Sequence, residues 1–189
     1  MTPEPISNVE VAKQQLSCAV ELFFNKEHMA VVATLVFSAY GILVDLVKDK
    51  GCFRDFMQDT ASKDDIASRD LWNEWNSEWG FLKHARSGLE SKIINEDFIA
   101  QILFTAIYDF QLLRDKLENN SLPAPSTAMD LYQSWFYATD SKLMTCEKSL
   151  KIKRDANELF PNIKLLSKSR QLDQGKAVIK SWTEGGNAV

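Results

Sequence analysis

Three groups that could act on a phosphate fall within four residues of one another: Lys83, His84 and Arg86, in the run Phe81-Leu82-Lys83-His84-Ala85-Arg86. A histidine titrates near neutral pH and can take or give a proton, while two neighbouring cations would hold a phosphodiester in place. On a helix the three diverge, however. Lys83 and His84 lie about 100° apart around the axis and Arg86 a further 200° on. Convergence on one phosphate then needs bent side chains or a second subunit. The plainer reading has Lys83 and Arg86 in solvent and His84 bonded to a neighbouring helix, near Thr34 or Tyr40.

Other chemistry is sparse. The second histidine, His28, sits beside Glu27 in a turn between apolar stretches, where a capping or solvated role is expected. Asp70, Glu74 and Glu78 step by four along a helix, a row expected to face solvent because no histidine joins it. Trp72, Trp75 and Trp79 could stack on bases or another flat ligand. Their heptad spacing makes a core or a dimer seam the expected reading. The sequence has no GxGxxG, GxxxxGK, GxSxG, HExxH or Glu-x-x-His pattern, so no cofactor and no metal site is predicted. Three distant cysteines, Cys18, Cys52 and Cys146, form no CxxC pair. With an N-terminus that lacks a basic and apolar leader pattern, they point to a reducing cytoplasm.

The elements that carry these residues follow from periodicity. A chain of 189 residues, 45% hydrophobic and 25% charged, fits one globular domain. Ser7-Asn8-Val9-Glu10 reads as a capping box opening a helix to about Asn25, with Val9, Ala12, Leu16, Ala19 and Phe23 inward. A second helix is predicted from Met29 to Lys50, apolar on all sides, with Gly51 as its stop. Its unbroken apolar run ends at Asp45, short of the roughly 20 residues a membrane span needs, so a buried central helix is expected rather than a membrane. Ser62 to Asp65 forms another capping box, ahead of the tryptophan helix that Gly88 would end. Asn95 caps a long helix with Ile99, Leu103, Ala106, Phe110, Leu113 and Leu117 on one face. After the loop 119–125, Ser126 or Thr127 opens a helix to about Ala138, and Asp140 or Ser141 opens a basic one toward Phe160. Glycines are expected between apolar stretches rather than inside them.

The expected fold is all-α: an antiparallel bundle of about six or seven helices in a single domain over 1–189. Its core covers about 7–160, and an extension over 161–189 frays at its end. The net charge of −4 is unevenly spread, with −9 over residues 1–140 and +5 over 141–189. The basic third could meet RNA or another phosphate-bearing ligand, or neutralise the acidic body of its own or a partner subunit.

Thr34-Leu35, Ala39-Tyr40, Ile42-Leu43 and Asp45-Leu46, with Ala19, Glu21, Leu22 and Phe23-Phe24 before them, resemble a widespread group of uncharacterised bacterial helical proteins. In that group a later helix carries an Asn, two apolar residues and a Lys-His pair, matched here by Phe81-Leu82-Lys83-His84. The likeness covers about the first 115 residues. Ala33 and Gly80 stand where many members have His and Asn. A more distant similarity is to HEPN domains, dimeric helical proteins that include ribonucleases with an Arg four to six residues before a His; here Arg69 lies fifteen residues before His84. Two functions follow as expectations. One is a non-enzymatic interaction or regulatory module acting as a homodimer. The other is an HEPN-like ribonuclease or a nucleotide- or RNA-binding protein using Lys83, His84 and Arg86.

Overall fold

The structure is a computed structural model that describes residues 5–47, 66–83, 93–117, 122–139 and 154–184. Among the described residues all regular structure is helical: α1 (Asn8–Phe24), α2 (Met29–Leu46), α3 (Ile66–Lys83), α4 (Glu96–Leu117), α5 (Thr127–Thr139), a 3₁₀ turn (Ile163–Leu165) and α6 (Lys168–Glu184). A further short helix covers 154–159. The expected capping box at residues 62–65 and the stops at Gly51 and Gly88 lie outside the described residues.

Caps set the helix ends. The Ser7 hydroxyl accepts from the Glu10 amide at 3.2 Å. The Asn95 side chain accepts from the Asp97 and Phe98 amides at 3.0 and 3.3 Å. Of the two candidates before α5, Ser126 is the cap, accepting from the Met129 amide at 3.3 Å. His28 caps α2, its Nδ1 accepting from the Ala30 amide at 3.3 Å. α1 closes with a Schellman arrangement, in which the Glu27 amide donates to Leu22 O and the Lys26 amide to Phe23 O. The left-handed position belongs to Lys26, at a φ of 58°. Glycine would sit there without strain.

Directions follow from the contacts. The four-residue connection after Phe24 turns α2 back along α1. Ser17 donates to Ser126 at 2.8 Å while Phe23 meets Tyr132 and Trp135, so α1 and α5 run the same way. Gln111 bonds Asp130 and Gln133 while Phe104 stacks on Phe136, so α4 and α5 are antiparallel. α2 packs most extensively on α1, then on α4, with α3 laid across it. It is long and apolar enough to cross a membrane, yet Val32, Ala33, Val36, Phe37, Ala39, Tyr40 and Leu43 are all buried against neighbouring helices.

Two corrections concern the last third and the glycines. The segment expected to extend beyond the core from residue 161 folds into the bundle: Ile163, Leu172 and Ile179 are buried, and α6 packs on α5 and α1, while the end expected to fray, 185–189, lies outside the described residues. Three glycines lie inside helices, Gly41, Gly80 and Gly175, rather than between them. At Gly175 the reason is space. A Cβ there would stand 2.1 Å from Phe24 Cε1, so the ring rests directly on the α6 backbone.

Candidate functional site

The tryptophan row is the first place to look, because α3 would present it. Lys83 is the last residue of α3; its side chain, the Trp72 side chain, and the whole of His84 and Arg86 lie outside the described residues. Trp75 is buried, with its ring 4.7 Å from Tyr40, 6.2 Å from Phe37 and 6.4 Å from Phe98. Trp79, half-buried, lies 5.7 Å from Phe37 and 6.2 Å from Tyr40, and closes over Gly41. These rings wedge α3 onto α2. Apart from the tilted Trp79–Phe37 pair their contacts are edge-on, as among core aromatics, and buried Trp75 offers no open face to a flat ligand.

The carboxylate row divides. Asp70 and Glu74 are exposed as expected, but Glu78 is only 3% exposed. Helix geometry explains the difference. Glu78 lies about 40° from Leu82 around the axis, at the edge of the arc of Trp75, Trp79 and Leu82 that faces α2, while Glu74 and Asp70 lie about 40° and 80° further round. It joins Asp109, Thr105 and Gln133 as the buried polar side chains of the described residues. Thr105 donates to Gln101 O at 2.9 Å, and Gln133 accepts from Gln111 at 2.8 Å.

Two open surfaces stand out among the described residues. The first is on α2. Val31, Leu35, Ser38, Ile42 and Asp45 recur at steps of four and three, which aligns them in one outward seam. Val31 is 51% exposed, Ser38 and Asp45 are exposed, and Leu35 and Ile42 are half-covered. Gln15 of α1 reaches this line, donating to Ser38 Oγ at 2.9 Å. No acidic side chain lies in the first turn of α2.

The second surface is a groove of about 430 Å³ where the start of α4, the end of α5 and the start of α6 meet. Ala100, Trp135 and Phe136 form its floor, and Asp97, Gln101, Thr139, Lys168 and Gln171 supply polar atoms. Lys168 donates to Asp97 Oδ1 at 2.7 Å and stands 5.5 Å from the Trp135 ring centre. The indole N–H of Trp135 donates to Gln171 O at 3.0 Å, and the Gln171 amide donates to Ile163 O and Leu166 O. Behind the floor, Tyr132 donates to Ala100 O at 2.8 Å. Burial raises this phenol well above its ordinary pKa, and the nearby Glu96 carboxylate adds to the effect. Burial also raises Tyr137, and raises Asp130 against the opposing pull of its Gln111 bond and of Arg114.

The basic third is partly absorbed by the fold. Lys168 neutralises Asp97 of the acidic body, and Lys26 pairs in the opposite sense with Asp173 at 2.6 Å. Lys168 and Arg170 point about 200° apart on α6, so they do not form one phosphate clamp. The groove was invisible to sequence reasoning because its charged walls, Asp97 and Lys168, are 71 residues apart. Glu78 carries a signal in the sequence, its place at the edge of the tryptophan arc. Comparison with known proteins finds no match to this chain among family models, curated proteins or solved structures.

Proposed function

We propose that this protein is a non-enzymatic cytoplasmic interaction module that works as a homodimer, two copies meeting along the outward seam of α2. The observation that carries the reading is Val31, 51% exposed on the most apolar helix of the described chain, in line with Leu35, Ser38 and Ile42. A helix apolar all round belongs in an interior. A four-three seam is the pattern that a second helix fills by knobs-into-holes packing. Self-pairing also suits the charges. If two seams run antiparallel about Ser38, each Asp45 lies at the start of the other copy's α2, where the helix dipole is positive and no acidic side chain competes.

Light scattering with the full chain tests this. The wild type is expected to run as a dimer at micromolar concentration, and Val31→Glu as a folded monomer with unchanged helical circular dichroism and a melting temperature that no longer rises with concentration, because position 31 is open in the single chain. A monomeric wild type, or a Val31→Glu protein that stays dimeric, overturns the reading. The rival is the HEPN-like ribonuclease or nucleotide- or RNA-binding protein built on Lys83, His84 and Arg86. RNA cleavage that vanishes in His84→Ala while the fold survives would put that reading in its place.

A further inference from the structure

We propose that the groove between α4, α5 and α6 is a binding site for a free α-amino acid, with Asp97 receiving its ammonium and Lys168 its carboxylate. Four features of the groove converge on a zwitterion. Its two charged side chains have opposite sign, come from different helices and meet at 2.7 Å across the opening. Both are exposed, Lys168 at 41% and Asp97 at 77%, so their pairing is screened and exchanges for ligand contacts at little cost.

The backbone field of α5 and α6 has the same polarity, and the carboxylates of Glu96 and Asp97 offset the positive amide end of α4. α5 ends at Thr139 with no basic side chain in its last turn, leaving its carbonyl end partially negative. α6 begins at Lys168 with no acidic side chain in its first turn, leaving its amide end partially positive. An ammonium lodged by Asp97 and the end of α5, and a carboxylate lodged by Lys168 and the start of α6, therefore lie along the field. Thr139 adds an acceptor on the ammonium side, since its hydroxyl proton is directed at the Trp135 and Phe136 carbonyls and its oxygen lone pairs remain.

The third feature is rigidity. Lys168 is held near the Trp135 ring, and that ring is fixed by its bond to Gln171 O. The Gln171 side chain is in turn tied to the carbonyls of Ile163 and Leu166. The charged walls thus stand on a floor that needs no reordering to receive a ligand. The fourth is size and lining. About 430 Å³ holds an amino acid, and because Ala100, Trp135 and Phe136 are almost fully buried beneath it the groove reads the two charged ends rather than the side chain, with Gln101 in the same wall to serve either end.

Calorimetric titration of the full chain with leucine, N-acetyl-leucine and leucinamide reads both ends of the ligand separately. Leucine is expected to bind, and each capped analogue to bind about twofold to fivefold more weakly, the loss that accompanies one solvent-screened charge contact. Lys168→Met should weaken leucine by a similar factor and leave leucinamide unaffected. Asp97→Asn should weaken leucine and leave N-acetyl-leucine unaffected. If leucine and the other standard amino acids give no heat at about 10 mM, above the millimolar end of specific affinities, the proposal fails. It fails also if the capped analogues bind as well as leucine, or if neither substitution changes binding. Melting curves of both variants control for folding. The dimer seam lies on a different helix, so its failure and this one are read by different measurements.

Discussion

Replacing Gly175 by alanine sets two effects of opposite sign against each other. In an exposed helix interior the change gains about 0.8–1.0 kcal/mol, because glycine loses more backbone freedom on folding. At this position the new methyl carbon would lie 2.1 Å from Phe24 Cε1, 2.6 Å from Cδ1 and 2.9 Å from Cζ. Carbon atoms rest about 3.5–4.0 Å apart, so the ring must retreat by about 1.5 Å. It has little room to do so. Phe24 is 2% exposed and is held edge-on by Phe23 at 5.5 Å, Tyr132 at 5.7 Å and Trp135 at 5.2 Å. Overpacking a filled core costs about 1–3 kcal/mol, and here the cost belongs at the upper end. The net expectation is a loss of about 1–2 kcal/mol, or a melting temperature lower by roughly 2–8 °C for a chain of this size. Urea unfolding followed by circular dichroism measures it. Adding Phe24→Leu should return part of the loss, giving a coupling of about 1 kcal/mol in a double-mutant cycle. A Gly175→Ala protein more stable than the wild type would refute the close approach of Phe24 and α6.

Two further substitutions probe other balances. Tyr132→Phe should cost about 1 kcal/mol at neutral pH through the lost bond to Ala100 O. Because the folded phenol's pKa is raised, the native state holds its proton after the unfolded state has released it. Wild-type stability should therefore fall above pH 10.0, the unfolded value, by about 1.4 kcal/mol per pH unit from this group. The variant should lack that component, so urea midpoints that decline in parallel from pH 9 to 11 would contradict it. Lys26→Gly relieves a left-handed lysine but removes its contacts with Asp173 and Ser169. The expectation is a near-neutral change at low salt and a gain of about 0.5–1 kcal/mol in high salt, where the pair is screened and only the relief of strain remains.

How far the sequence reveals this molecule depends on whether each inward position is apolar. α4 is legible because Ile99, Leu103, Ala106, Phe110 and Leu113 all face inward and Asn95 announces the start. α6 is not, because the slot between Leu172 and Ile179 that should complete its stripe is Gly175. The side chain filling that slot belongs to α1, and no local pattern records a gap filled from elsewhere. Glu78 misleads in the opposite way: its four-residue spacing from Glu74 suggests a solvated row, while the neighbouring tryptophans decide which side turns inward. The α2 seam is hidden by uniformity, since a helix apolar on every side does not show which face its neighbours leave open. The groove needs three helices in place before Asp97 and Lys168 meet. Of the residues singled out for chemistry, His84 and Arg86 lie outside the described residues, and Trp75 is used in packing.

The seating of Phe24 on Gly175 also governs the order in which the chain can be completed during synthesis. Lys26 and its partner Ser169 are 143 residues apart, so the face of α1 that α6 covers leaves the ribosome long before its cover does. At about 5–20 residues per second the interval is roughly 7 to 30 s. Through that time the end of α1 stands open to neighbouring nascent chains, and the emergence of α6, rather than the folding of any earlier helix, is the event that closes it.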